Sequence, residues 1–286
     1  MSDQRNGGIA WTDATWNPVT GCAKVSPGCA NCYAETVANR FWAQQYPPIE
    51  MINAETDESH LRPREFTDVQ CHEDRLDQPL RWRKPRKVFV NSMSDLFHPD
   101  VPYQFVARVM DTIIAAPQHT FQVLTKRADR MLHFFGHIGE AEGLKPPDNL
   151  WLGVSVENQH CADERIPLLL QTPAAVRFIS AEPLLGPIGL ALHFPHAHGM
   201  RDHRFWVIVG GESGPKARPC DLAWVRSLVS QCQAAVPVFV KQLGAHPFIE
   251  GHATPVIGSW LRDRKGGDPS EWPEDLRVRE FPKARP

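Results

Sequence analysis

The chain reads as an α/β protein, a partial or near-complete (β/α) TIM-like barrel with an insertion after its first helix and a C-terminal tail. Three observations predict this. Six short apolar, β-branched runs begin near residues 88, 120, 150, 176, 206 and 238, a spacing that fits one strand, one crossover helix and two loops. The runs are apolar on both faces, as parallel strands covered by helices should be. Each is followed at once by polar residues, which in a barrel would ring the C-terminal mouth where active sites sit.

In chain order, Ile9 to Thr12 is an apolar-leaning first strand, and Asp13 to Gly21 is a turn-rich loop. A cysteine-bearing loop follows, then a helix from Cys32 to about Gln45 that Pro47 and Pro48 stop. Ile49 to Asp68 is polar and weakly patterned and reads as a lid-like insertion, with a short helix expected between Val69 and Trp82. Phe105, Val106, Val109, Ile113 and Ala116 recur at helical spacing, with Asp100 as a candidate cap. A shorter helix is expected from Asp129 to Phe135. Asn158 can cap a helix to Gln171 that Pro167 bends, and Asp221 can cap an amphipathic helix carrying Trp224, Leu228, Val229 and Cys232. Leu184 to Arg204 is rich in Pro, Gly and His and reads as loop; its His193, His196 and His198 have no Cys or paired carboxylate beside them and read as exposed. The expected division is a barrel over residues 1–244, with the insertion at about 46–82, and a C-terminal extension over 245–286 packed on it.

A length of 286 residues suffices for one large α/β domain, and a net charge of −2 gives no global pull toward nucleic acid or anionic membrane. The polar start, Met1 to Gly8, lacks the apolar core of a signal peptide, and no apolar run approaches membrane-spanning length. Seven cysteines is an odd number with no export signal, so the expected compartment is a reducing cytoplasm, where clustered cysteines point to metal or catalysis.

Three of those cysteines, Cys22, Cys29 and Cys32, fall within eleven residues as C-x6-C-x2-C. Three thiolates on one loop can hold three corners of an iron–sulfur cube. They can also hold zinc if a fourth ligand such as His60 or His72 joins them. The polar groups after the strands include Asn91, Ser92, Ser94 and Asp95, then Lys126, Ser155, Glu157, Glu182, Glu212 and Lys241. Loop starts explain Ser and Asn, but the charged Lys126, Glu157, Glu182, Glu212 and Lys241 exceed what a loop needs and are the candidate catalytic residues. The three glutamates would also suit a barrel hydrolase working by general acid and base. No G-x-G-x-x-G follows a strand, so a dinucleotide fold has no support. The run Arg81, Trp82, Arg83, Lys84, Arg86 and Lys87 places five cations around one Trp. It is either a solvated turn or a nucleic-acid contact, the latter as part of a zinc-stabilised binding protein.

The cysteine loop ahead of a β/α repeat resembles radical S-adenosylmethionine (SAM) enzymes. More closely, Trp11 to Pro18, Val25 to Cys29, Gly210 to Gly214, Gly266 to Asp268 and Trp272 to Arg279 resemble the phage Gp37/Gp68 family of three-cysteine-motif proteins. The radical SAM resemblance implies a [4Fe–4S] cluster on Cys22, Cys29 and Cys32 that reductively cleaves SAM, with an electron donor as partner. It implies SAM contacts from Tyr33, Asn91, Ser92, Ser94, Asp95 and Ser155, and a substrate that could be a nucleic acid or modified nucleotide. The family spacing is C-x3-C-x2-C with an aromatic residue before the last cysteine. Here the first gap is six residues and Asn31 takes the aromatic position.

Overall fold

The computed structural model describes residues 8–52, 58–138, 146–193, 204–232, 236–249 and 261–283. Seven parallel strands form one sheet in strictly sequential order: β1 (Ala14–Trp16), β2 (Lys87–Val90), β3 (Thr120–Thr125), β4 (Leu150–Ser155), β5 (Val176–Ala181), β6 (Phe205–Gly210) and β7 (Val238–Gln242). The sheet curls into a half-barrel, and β1 and β7 do not pair. All six apolar runs become strands at the expected positions.

The helices are α1 (Tyr33–Gln45), which packs on a separate small core with Phe66, and α2 (Tyr103–Ala115), α3 (Ala128–Leu132), α4 (Gln159–Gln171) and α5 (Leu222–Cys232), which cover the outer face of the sheet. Their buried stripes, such as Val106, Val109 and Ile113 on α2 and Val225, Leu228 and Cys232 on α5, pack with Val88, Val123, Leu152, Ile179, Val207 and Val240 of the sheet. The Asn158 side chain accepts from the Cys161 amide and caps α4, and Asp221 Oδ1 accepts from Ala223 N at the start of α5. At α2 the N-cap is Pro102 with no side-chain bond, so Asp100 does not cap it. After α3 the chain continues as a π-helical stretch, His133–Ile138.

The inner face is aromatic, and among the described residues no helix contributes to its cluster. Trp151, Phe178, Trp206 and Phe239 line it, and Trp11 is buried among them, 4.8 Å from Phe89 and 6.1 Å from Trp206. This corrects the first strand. Ile9 to Trp11 inserts into the curl, and pairing begins three residues beyond Trp11, at Ala14. A tryptophan removes far more apolar area from water as a core plug than as an edge-strand residue.

The insertion is a hairpin (Ile49–Ile52 with Ser59–Arg62), a short strand Gln70–Cys71 against Val19–Thr20, and two 3-10 turns, Glu73–Arg75 and Gln78–Arg81, where one helix was expected. The end of the chain pairs with the sheet at Val278 to Glu280. Val278 O accepts from Val240 N and Glu280 N donates to Val238 O, so the tail runs antiparallel along the free edge of β7. Phe281 then enters the inner face beside Trp206 and Phe239. His196 and His198 lie outside the described residues. His193 is half-buried, with its Nε2 3.1 Å from Asp163, rather than exposed.

Candidate functional site at the strand ends

Side chains alternate faces along a strand. Counting by twos from Phe89, Leu124, Trp151, Phe178, Ile208 and Phe239 on the inner face gives Asn91, Lys126, Ser155 and Glu157, Ser180 and Glu182, Glu212 and Lys241. Most of the candidate polar residues thus continue the inner register of their strands, at or just past the C-terminal ends; Ser92 and Ser94 fall outside it, and Asn91, at φ 62°, has left the extended conformation. The half-barrel has an apolar floor and a charged upper rim.

The cysteine loop crosses that rim. It leaves β1, and Gly21 forms a parallel bridge with Ser94 beyond β2. Gly21 has φ 94°, and a Cβ there would lie 2.5 Å from Asp68 O, so the tight exit needs glycine. Cys22 N donates to Phe66 O, a 3-10 turn spans Pro27–Cys29, and Cys32 is the N-cap of α1. Cys22 and Cys32 both pack against the small core of Ala34, Ala38, Trp42 and Phe66, and all three cysteines are partly exposed. An anionic sulfur at Cys32 would sit in the favourable field of the helix N-terminus.

Three charged centres hold this loop. The first is Glu157, wholly buried, whose Oε1 accepts from Ser26 Oγ at 2.7 Å and lies 3.4 Å from Lys126 Nζ, while Oε2 accepts from Arg165 Nη1 at 2.9 Å. Burial alone would raise its pKa. Lys126, Arg165 and the Ser26 and Cys161 hydrogen bonds outweigh burial and hold it below the usual carboxylate range. Gly28 sits directly over this carboxylate, where a Cβ would lie 2.3 Å from Oε1.

The second centre is Glu212. It takes the Arg218 guanidinium at 2.6 and 2.9 Å and Asn31 Nδ2 at 3.0 Å, while Arg218 Nη1 reaches back to Pro27 O at 2.9 Å. Burial again opposes ionisation, and the Arg218 and Asn31 bonds overcome it. The third is Arg127, whose Nη1 lies 3.6 Å from Cys22 Sγ and 3.0 Å from Asp95 Oδ2, and whose Nη2 donates to Ala23 O at 3.0 Å. Burial and then Asp95 push the Cys22 thiol up to about 11, with Arg127 acting against them.

Asp95 accepts from Phe97 N, Thr125 Oγ1, Lys126 N and Arg127 Nη1. A carboxylate offers about four acceptor positions, so its capacity is filled and its role here is to support Arg127. Ser92 Oγ donates to Asn17 Oδ1 and Ser94 Oγ to Val19 O, both tying the β2 exit to the β1 exit. Asn91, with φ 62°, accepts from Val19 N through Oδ1, whereas its buried Nδ2 has no partner among the described residues. Ser155 is buried and its carbonyl accepts from Arg165. Glu182 and Lys241 form a partly exposed pair at 2.6 Å. Tyr33, 70% exposed, points away from packed structure.

Glu157 and Glu212 are both held in ion pairs with arginine. Of the candidate zinc ligands, His60 is exposed on the hairpin, and His72 is buried with Nε2 2.7 Å from Thr20 Oγ1. Among the described residues no three His, Cys, Asp or Glu side chains already converge at metal-ligand geometry. The basic run lies at the N-terminal end of β2, away from this rim. Arg81 pairs with Asp77, and Trp82 is held between Arg86 at 5.1 Å and His119 at 5.7 Å. Lys87 Nζ lies over the Phe281 ring, leaving Arg83 and Lys84 as the outward cations. No described helix is long and apolar enough to cross a membrane.

Ser26, Arg127, Arg165 and Arg218 are the partners that sequence reasoning missed. Arg218 and Arg165 have a faint local signal, shortly after Glu212 and Glu157 in the chain; Ser26 and Arg127 are joined to their partners by the topology alone.

One family, described as proteins of unknown function (DUF5131), matches residues 6–265. No curated protein and no solved structure matches the chain.

Proposed function

We propose that this chain, which belongs to the DUF5131 family, is an iron–sulfur enzyme of the radical SAM type, with Cys22, Cys29 and Cys32 as the ligands of a [4Fe–4S] cluster and SAM as its co-substrate. The observation that carries the reading is the cysteine loop braced across the charged rim of a parallel half-barrel. Among the described residues Asp95, Glu157 and Glu212 are taken by arginines and His72 by Thr20. With these side chains engaged, three soft thiol donors suit a cluster with one open iron better than a closed zinc site. The cluster would supply one-electron cleavage of SAM and thereby hydrogen abstraction from an unreactive substrate position.

The chain's own residues have separable tasks in this reading. Glu157 and Glu212 fix the loop over the rim through Ser26 and Asn31. Asn91 Nδ2 is a buried donor with its hydrogen bond unmade among the described residues, and such a group is costly unless a ligand acceptor meets it. Glu182 and Lys241 present opposite charges on the inner register and are the candidates for holding substrate or the polar ends of SAM. The aromatic floor keeps water from the lower half of the curl.

Anaerobic purification with iron, sulfide and zinc quantified on one sample tests the proposal. A brown protein with iron and sulfide, bleached by Cys29→Ala, and 5′-deoxyadenosine formed with dithionite and SAM are the expected results. Iron without SAM cleavage would leave an electron-transfer or structural cluster. Stoichiometric zinc would favour the zinc-stabilised nucleic-acid reading, with Arg83 and Lys84 as its contacts.

A further inference from the structure

We propose that Arg127 is a positioning residue that sets the reduction potential of the metal centre through the sulfur of Cys22. The inference rests on the iron–sulfur reading. Its geometric basis is a guanidinium fixed at three points. Nη1 is shared between Asp95 Oδ2 at 3.0 Å and Cys22 Sγ at 3.6 Å, and Nη2 donates to Ala23 O at 3.0 Å. The Asp95 carboxylate that aims it is itself immobile, held by Thr125 Oγ1 on both oxygens and by the amides of Phe97 and Lys126. Arg127 and Asp95 are 8% and 5% exposed, so neither the charge nor the direction of the N–H is averaged away by solvent.

Cys29 and Cys32 have no arginine contact among the described residues; Cys29 Sγ faces the neutral Ser26 hydroxyl at 3.8 Å. The cation that acts on both is Lys24, which is exposed and paired with Glu35 at 2.8 Å. Cys22 is the cysteine that meets a buried guanidinium. A cation and an N–H directed at a ligand sulfur stabilise the extra negative charge of the reduced cluster, so they raise its potential and ease electron entry. Asp95 opposes part of this effect. The pair therefore sets an intermediate poise, with the arginine aimed at the sulfur and the carboxylate behind it.

The test is an EPR-monitored redox titration of the reconstituted protein, with iron per chain measured on each variant. Arg127→Gln strands a buried carboxylate and can fail to fold, so the variants are Arg127→Lys, which keeps the charge, and the double variant D95N/R127Q, which removes both charges. Both are expected to retain iron and to show a lower midpoint. The ratio of reduced to oxidised cluster at a fixed potential should fall about tenfold in the double variant, which is about 59 mV for a one-electron couple. D95N alone should move the midpoint upward. Unchanged midpoints in variants that retain iron overturn the proposal, as does loss of iron from variants that fold normally, since that would make Arg127 an assembly residue. A wild-type protein that binds no iron removes the metal reading and this inference together, and that outcome is read before any variant is made.

Discussion

The Ser26 hydroxyl donates to Glu157 Oε1 at 2.7 Å, so the cysteine loop is fastened to the end of β4 by a buried carboxylate. Ser26→Ala should cost about 1.5–3 kcal/mol, the range for a hydrogen bond to a charged group. Glu157→Gln should cost about 3–5 kcal/mol, because it leaves Arg165 and Lys126 without their counter-charge. Urea unfolding read by tryptophan fluorescence checks the order. Equal losses for the two variants would mean the ion pairs contribute nothing beyond the latch.

Gly28 makes the same contact intolerant of added volume. The Glu157 side chain cannot swing away because Arg165 and Lys126 hold it, so Gly28→Ala must lift the loop. Overpacking of this kind costs about 1–3 kcal/mol, and iron retention on gel filtration should fall with it. Gly186→Ala is the control, since its Cβ would meet only Asn158 Cβ at an ordinary 3.8 Å.

Asn31 joins the far end of the loop to Glu212 and to Lys216 O. Asn31→Ala leaves the Glu212–Arg218 pair intact, so the global loss should be small, about 1 kcal/mol. The local effect should be larger. Hydrogen exchange at the Cys29 and Ala30 amides, which donate to Ser26 O and Pro27 O, should accelerate while β4 amides stay protected. Uniform acceleration would place the effect in the whole domain.

His72 gives a pH dependence with a definite sign. Burial, then Arg75 and Arg64, lower its pKa from 6.5 to about 4. The unfolded chain therefore binds a proton that the folded chain refuses between about pH 6.5 and 4, and stability falls as pH drops through that window. The slope from this residue approaches about 1.4 kcal/mol per pH unit at most. His72→Gln can keep a donor to Thr20 and should flatten the profile of the unfolding midpoint between those pH values. A profile identical to wild type would show that His72 is protonated without cost in the folded state.

Much of the framework was written in local patterns. The strand runs are apolar on both faces because helices and an aromatic floor cover them, and that double burial leaves a continuous signal at Leu150–Ser155 and Phe205–Gly210. The rim was legible for the same reason, since Lys126, Glu157, Glu182, Glu212 and Lys241 continue the inner register. Long-range closure was not legible. Trp11 reads as part of an apolar run, and only the curl of the sheet shows that it is a plug. The roles of the acids also depended on partners that no spacing rule connects: Ser26 for Glu157 and Arg127 for Asp95 are far away in sequence, and Arg165, on the helix that follows Glu157, reaches it only through the turn from β4 into α4.

The pairing of Val278 to Glu280 along β7 has a practical corollary. It covers a row of main-chain amides and carbonyls that would otherwise offer a template to any extended peptide. A fragment ending before Val278 would bare that row and uncover Trp206 and Phe239, and it should self-associate into polymers through strand addition. Val278 to Phe281 act as the molecule's guard against aggregation.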